Sequence, residues 1–304
     1  MLILYGDEFK QQVSGDGVYT AALRTTLEPV PVTLEAVIRL DEGIGEAFVQ
    51  GKEIKVGNHG VKLTIIYASN IASDIVQDRA ITTRRVVALQ SATCGVSYRL
   101  QKAIIREKAT LSELYNACGA KTAVGKDFTV ARFYAFQGDV PSVQIAKVLQ
   151  EEGGVVLWRA ASDKVEFLRI DDLFKQKPVG SIPSMTSETK KSGFLERHEI
   201  PAYFSIDAAG GVLSGDFSSP RAVDYAPQKT AKQLFSMSQV LLNVKTVAVE
   251  YMPDLNAGDV VTVGNKDFVI ITAAHASNVN STGGRSMSST FWLGVDSRKE
   301  STTP

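Results

Sequence analysis

Val32-Thr33-Leu34-Glu35-Ala36-Val37-Ile38-Arg39-Leu40 places an apolar side chain at every second position. Period two marks a strand with one buried face, because successive side chains leave a pleated backbone on opposite sides. Outward from it, Gly51-Lys52-Glu53-Ile54-Lys55-Val56 runs into Gly57-Asn58-His59-Gly60. Val61, Leu63, Ile65 and Tyr67 then alternate with Lys62 and Thr64. Glycine and asparagine tolerate the positive φ of a tight reversal, so these runs predict a hairpin. Further strands are expected at 84–90 and 96–105, which makes the first third β-rich.

The middle third mixes periods. Thr110-Leu111-Ser112-Glu113 is a capping box opening a short helix, with Leu111, Leu114, Tyr115 and Cys118 on one face and Gly119 as its stop. A strand is expected around Phe128–Phe136. Pro141 opens a second helix, whose apolar stripe is Ile145, Ala146, Val148 and Leu149 and which ends at Gly153-Gly154. Val155-Val156-Leu157-Trp158 and Lys164–Ile170 read as a hairpin closed through Ala161-Ser162-Asp163. Residues 175–195 lose apolar order and read as an exposed linker or loop. The last third returns to strands at Val244–Met252, Asp259–Gly264, Asp267–His275 and Met287–Val295, after a short helix over 229–242. The polar tail beyond Asp296 is expected to fray.

The division that follows is a first β segment at 1–105, an α+β segment at 106–174, a linker at 175–195 and a second β segment at 196–304. The fold class is mainly β with a smaller α+β part.

Lysine plus arginine number 33 and aspartate plus glutamate 33, for a formal net charge of zero. That balance argues against sequence recognition of nucleic acid, which calls for a basic excess. It also argues against binding to an anionic membrane. No stretch approaches the roughly 18 apolar residues of a membrane helix, so no membrane insertion is expected. Met1-Leu2-Ile3-Leu4-Tyr5-Gly6 has no basic region of the kind that opens a signal peptide. The two cysteines, Cys94 and Cys118, form no disulfide framework, and Cys118 reads as a small buried hydrophobe. A soluble chain made in a reducing cytoplasm is the expectation.

Searching for catalytic chemistry yields no candidate catalytic, cofactor-binding or metal-binding residue. His59, His198 and His275 belong to no zinc-ligand spacing. Gly15-Asp16-Gly17 and the glycines at 51, 57 and 60 sit in turns, without a phosphate-loop lysine or a following helix. The adjacent acids Asp171-Asp172 and Glu151-Glu152 invite an acid/base reading, yet acids at element ends are ordinarily solvated or capping. In the last strand Met287, Ser289, Phe291, Leu293 and Val295 share one face. Trp292 lies on the other, either against a partner or covered within the chain. The chain is read as a non-enzyme that needs no cofactor and works by assembling with other proteins.

Two stretches carry a family resemblance. Phe136-Gln137-Gly138-Asp139-Val140-Pro141-Ser142-Val143-Gln144-Ile145-Ala146-Lys147-Val148-Leu149-Gln150-Glu151-Glu152-Gly153-Gly154 resembles the short helix that feeds a hairpin in bacteriophage tail hub proteins, the late control protein family. Met252-Pro253-Asp254-Leu255-Asn256-Ala257-Gly258-Asp259-Val260-Val261-Thr262-Val263-Gly264 resembles the PxLxPGDxVxLxG run of the same proteins, with Ala257 where they usually carry proline. The resemblance implies a structural virion protein of the tail or baseplate, similar to type VI secretion spike carriers and put together in the host cytoplasm. It implies two tube-like β-barrel or sandwich domains beside a mixed α/β part. It also implies a homotrimeric ring joining the tail tube protein to the central spike protein, among other baseplate proteins. Two readings from other classes stand beside it: a cell-wall-degrading enzyme at the tail tip, and a carbohydrate- or receptor-binding β module.

Overall fold

The computed structural model describes residues 4–6, 11–13, 15–40, 44–57, 60–76, 79–183, 187–188, 201–217, 222–279 and 284–300. His59 and His198 lie outside them. Strand makes up 51% and helix 16%, so the chain is mainly β with a smaller α+β part.

The first segment holds β1 (Leu4–Gly6), β2 (Gln11–Gln12), β3 (Val18–Thr26), β4 (Val32–Leu40), β5 (Glu53–Val56), β6 (Val61–Val76) and β7 (Arg79–Gln90). Alternation decides which face goes inward: Val32, Leu34, Ala36 and Ile38 of β4 are buried, whereas Thr33, Glu35 and Val37 face outward or lie half-covered. The expected hairpin forms, with Glu53 opposite Thr64 and Val56 opposite Val61.

The middle segment holds β8 (Ile104–Thr110), α1 (Leu111–Ala117), β9 (Thr129–Ala135), α2 (Pro141–Glu152), β10 (Gly154–Arg159), β11 (Lys164–Arg169) and α3 (Ile170–Leu173). Thr110 Oγ1 accepts from the Glu113 N–H at 3.3 Å, and the Glu113 carboxylate accepts from the Thr110 N–H at 2.8 Å, which completes the capping box. Along α2, Ile145, Val148 and Leu149 are buried, but Ala146 is exposed: the buried stripe is narrower than the sequence pattern suggests. The strand expected at 96–105 does not form. Cys94–Ser97 is a single 3-10 turn, and the strand begins at Ile104. At Gly95 this turn passes close to the end of α1: a Cβ there would lie 2.3 Å from the Gly119 carbonyl oxygen.

The last segment holds β12 (Gly180–Ile182), β13 (Ser187–Glu188), β14 (Ala202–Ile206), β15 (Val212–Ser214), β16 (Val223–Tyr225), α4 (Ala231–Met237), β17 (Leu241–Glu250), β18 (Val260–Val263), β19 (Lys266–Val279), β20 (Arg285–Asp296) and α5 (Ser297–Glu300). Three expectations change here. Within 175–195, Gly180–Ile182 pairs in parallel with β18, and Ile182 is buried, so this stretch of the expected linker belongs to the sheet. The helix expected over 229–242 covers only Ala231–Met237, because Leu241 and Leu242 already pair with β20. The tail does not fray at Asp296. Ser297 is buried, and Arg298 binds both Asp171 and Asp296.

The main sheet has 13 strands in the order β13-β17-β20-β19-β3-β4-β7-β6-β5-β1-β2, with β18 and β12 branching from β19. β3 pairs antiparallel with β19, Thr26 opposite Thr272 through Thr20 opposite Asn278, so the two β segments share a continuous ladder. The β10–β11 hairpin supplies three cores at once. Trp158 enters the first β core, and Val156 and Phe167 join the helical core around Tyr115. Val155, Leu157 and Leu168 meet Val260 and Val269 of the last segment.

Candidate assembly surfaces and the loop that joins the segments

The loop from Met252 to Asp259 lies where all three segments meet. The Met252 N–H donates to Ser289 Oγ at 2.8 Å, and that oxygen is 2.9 Å from His275 Nδ1. His275 Nε2 lies 3.0 Å from the Leu255 carbonyl oxygen, which can only accept. The proton therefore sits on Nε2, and Nδ1 accepts from the Ser289 hydroxyl. Burial lowers the His275 pKa from its ordinary value, against weaker opposing pulls from the Leu255 carbonyl and Asp254. This histidine is a neutral core residue that fastens the loop.

The same loop reaches the other two segments. The Ala257 N–H donates to the buried Thr25 Oγ1 of β3 at 2.9 Å. Proline has no N–H, so the residue usual in the resembled run would forfeit this bond. Gly258 has φ +88°, and a Cβ there would press on Leu157 at 2.9 Å, so the glycine is required twice over. Asp259 accepts from the Asn256 N–H at 2.8 Å and faces the Arg159 guanidinium at 3.2 Å; Arg159 also holds Glu166 at 2.9 Å. Burial raises the Asp259 pKa, with the Asn256 hydrogen bond and Arg159 pulling the other way.

The adjacent acids are split among separate ties. Glu151 pairs with Lys229 at 2.6 Å, joining α2 to the start of α4. Glu152 pairs with Arg169 at 2.9 Å, and Asp172 with Lys175 at 2.7 Å. Asp171 binds Gln239 at 2.9 Å and also Arg298. Each of these four acids is thus tied to a partner of its own. Both cysteines are free thiols, and burial pushes Cys118 up to about 11. Among the described residues no cluster of three or more histidine, cysteine or acidic side chains is gathered for a metal.

Trp292 is half-buried between Thr246 of β17 and Thr272 of β19, while Phe291 and Leu293 on the opposite face are fully buried. Larger apolar exposure lies elsewhere, on two small sheets. In the β15-β14-β16 sheet, Phe204, Ile206, Val212, Val223 and Tyr225 fall on one face by register. Val212 is 72% exposed and Tyr225 54%, with the Phe204 and Tyr225 rings 5.2 Å apart. The opposite face packs on α4 through the fully buried Leu234. On the β8–β9 ribbon, Ile105 pairs with Tyr134, and Tyr134 lies 5.9 Å from Phe136. All three are more than half exposed. The sequence signal for the first of these sheets is Gly210-Gly211 between two apolar runs.

The architecture places the chain among solved structures. A tail protein from Neisseria meningitidis superimposes over 97% of this chain and 96% of its own, with TM-score 0.65 and 9% identity. The fold is that of bacteriophage tail proteins. The 43 kDa tail protein of prophage MuSo2 from Shewanella oneidensis matches over 97% of this chain and 98% of its own, with TM-score 0.65 and 13% identity. An Escherichia coli type VI secretion component, c3393, described as similar to the T4 tail proteins gp27 and gp5, matches over 96% of this chain and 76% of its own, with TM-score 0.58 and 10% identity. No family model matches the chain, and no curated relative matches its sequence.

Proposed function

We propose that this chain is a structural hub of a phage tail or baseplate: three copies form a ring that joins the tail tube to the central spike. The observation that carries the reading is the likeness of its fold to phage tail proteins over nearly all of this chain and of theirs. The two β segments act as the tube-like units, so three copies offer six positions to a sixfold tube. The ring is put together in the host cytoplasm and functions in the virion, in contact with the tube protein, the spike protein and other baseplate proteins. Its work is non-catalytic, in keeping with acids that are each tied to a separate partner.

Reconstruction of purified tails carrying a tag on this chain is the test. A threefold layer between tube and spike, built from three copies, is the expected result. Six or more copies in the layer, or tails without the chain, would overturn the reading.

A further inference from the structure

A cleft of about 390 Å³ opens where the β8–β9 ribbon, α2 and the approach to α4 meet, at the boundary of the middle and last segments, where binding sites commonly form. Its charged lining is Glu107, Lys108 and Arg132 from the ribbon, Lys147 and Glu151 from α2, and Lys229 just ahead of α4. Both acids are already paired. Glu151 holds Lys229 at 2.6 Å with both side chains largely buried, and Glu107 lies 3.6 Å from Arg132. Among the described residues neither Lys108 nor Lys147 has an acidic partner. A chain of zero net charge therefore gathers two uncompensated cations in one cleft. The backbone is also held unusually here. Lys108, Asp163 and Gln228 are the non-glycine residues at positive φ among those described, and two of the three, Lys108 at +52° and Gln228 at +58°, line this cleft. A left-handed residue inside a strand breaks the alternation of side chains, so Glu107 and Lys108 border the same cleft although they are neighbours in β8. Such strain persists where the surroundings enforce it, and it gathers at binding sites. Beside the cations stands an apolar wall, Tyr134, continuous with the exposed Ile105 and Phe136.

We infer that this cleft docks an acidic peptide segment of a partner protein, with its carboxylates against Lys108 and Lys147 and its aliphatic stems against Tyr134. Charge complementarity selects the acid, and partial enclosure keeps the pairing less screened than on an open surface. A free phosphate would use the cations alone. A glutamate side chain carries its carboxylate on an apolar stem and so uses the wall as well, removing apolar area from water. The site goes beyond the ring reading and stands whether or not copies of the chain close a ring.

Fluorescence anisotropy of a short labelled oligoglutamate peptide, titrated with the purified full chain, tests it. Wild type binds the peptide saturably, and more weakly as salt rises, because the pairing is electrostatic. Lys108→Gln with Lys147→Gln weakens binding on the order of tenfold, and Lys108→Glu with Lys147→Glu on the order of 100-fold. The second pair inverts the charge of the cleft, so that variant takes a labelled oligolysine peptide in preference to oligoglutamate. Lys52→Glu with Lys266→Glu makes the same change in net charge at exposed positions outside the cleft and leaves binding within about twofold of wild type. Inorganic phosphate displaces the peptide only in large excess. Thermal melts check that each variant keeps its fold, and the glutamine pair tests the site without introducing repulsion. A wild-type chain that does not bind oligoglutamate overturns the inference. So does a loss of binding in the Lys52/Lys266 pair equal to that in the Lys108/Lys147 pair, or displacement by phosphate at equal concentration. None of these results bears on the threefold layer by which the ring reading is judged.

Discussion

Replacing His275 with phenylalanine separates the two duties of its ring. Phenylalanine keeps a planar ring against Tyr251 and Phe291, whose centroids lie 6.1 and 6.0 Å away, but removes both hydrogen-bonding nitrogens. The Leu255 carbonyl then loses its donor in a buried site, at a cost of about 1–3 kcal/mol. The Ser289 hydroxyl keeps the Met252 N–H but loses its acceptor, worth about 1 kcal/mol more. The expected loss is therefore about 2–4 kcal/mol in urea unfolding at pH 7.5. The pH dependence should change as well. Because burial lowers the folded pKa of His275, the unfolded chain takes up its proton first as pH falls. Wild type thus keeps the full contribution above the unfolded histidine value of about 6.5 and loses it progressively below, down to the lowered folded value. In the phenylalanine variant this part of the slope is missing, so the stability gap between the two proteins narrows from pH 7.5 toward pH 5. A gap that stays constant over that range, or widens, would refute the neutral-histidine argument.

Two further substitutions probe other joints. Ala257→Pro, the residue usual in the resembled hub run, should destabilise this chain by about 1–2 kcal/mol, because it removes the N–H that bonds Thr25 Oγ1; an unfolding midpoint equal to or above wild type would show that this bond contributes nothing. Ile182→Ala should cost about 2–4 kcal/mol as a buried large-to-small change, whereas the same truncation in a free linker would be silent in chemical denaturation.

What the sequence revealed, and what it withheld, follows the range of the forces involved. Strand faces, the Thr110 cap and the Pro141 helix rest on neighbours within a few residues, so periodicity and capping chemistry disclosed them. The turn at Cys94–Ser97 meets the backbone of Gly119 at Gly95, a contact with no local trace. The strand at Gly180–Ile182 exists because β18 offers an edge, not because its own residues favour it. His275 looked like an ordinary strand-end residue because its partners, Leu255 and Ser289, come from separate stretches of the chain. The apolar faces were hardest to see. Exposure is a property of the whole fold, and Val212 or Tyr225 reads like any core residue until the sheet is built.

The ladder between β3 and β19 has a consequence for how the protein is made. Thr20 finds Asn278 only after more than 250 intervening residues have left the ribosome. At roughly 5–20 residues per second, the β3 edge waits on the order of tens of seconds during synthesis without its partner. An open edge of this kind is a template for stray pairing, so nascent chains crowded on one messenger are the species most exposed to aggregation. A chaperone that shields β3 until β19 emerges, or slower synthesis at lower temperature, would raise the soluble yield without altering a contact in the finished molecule.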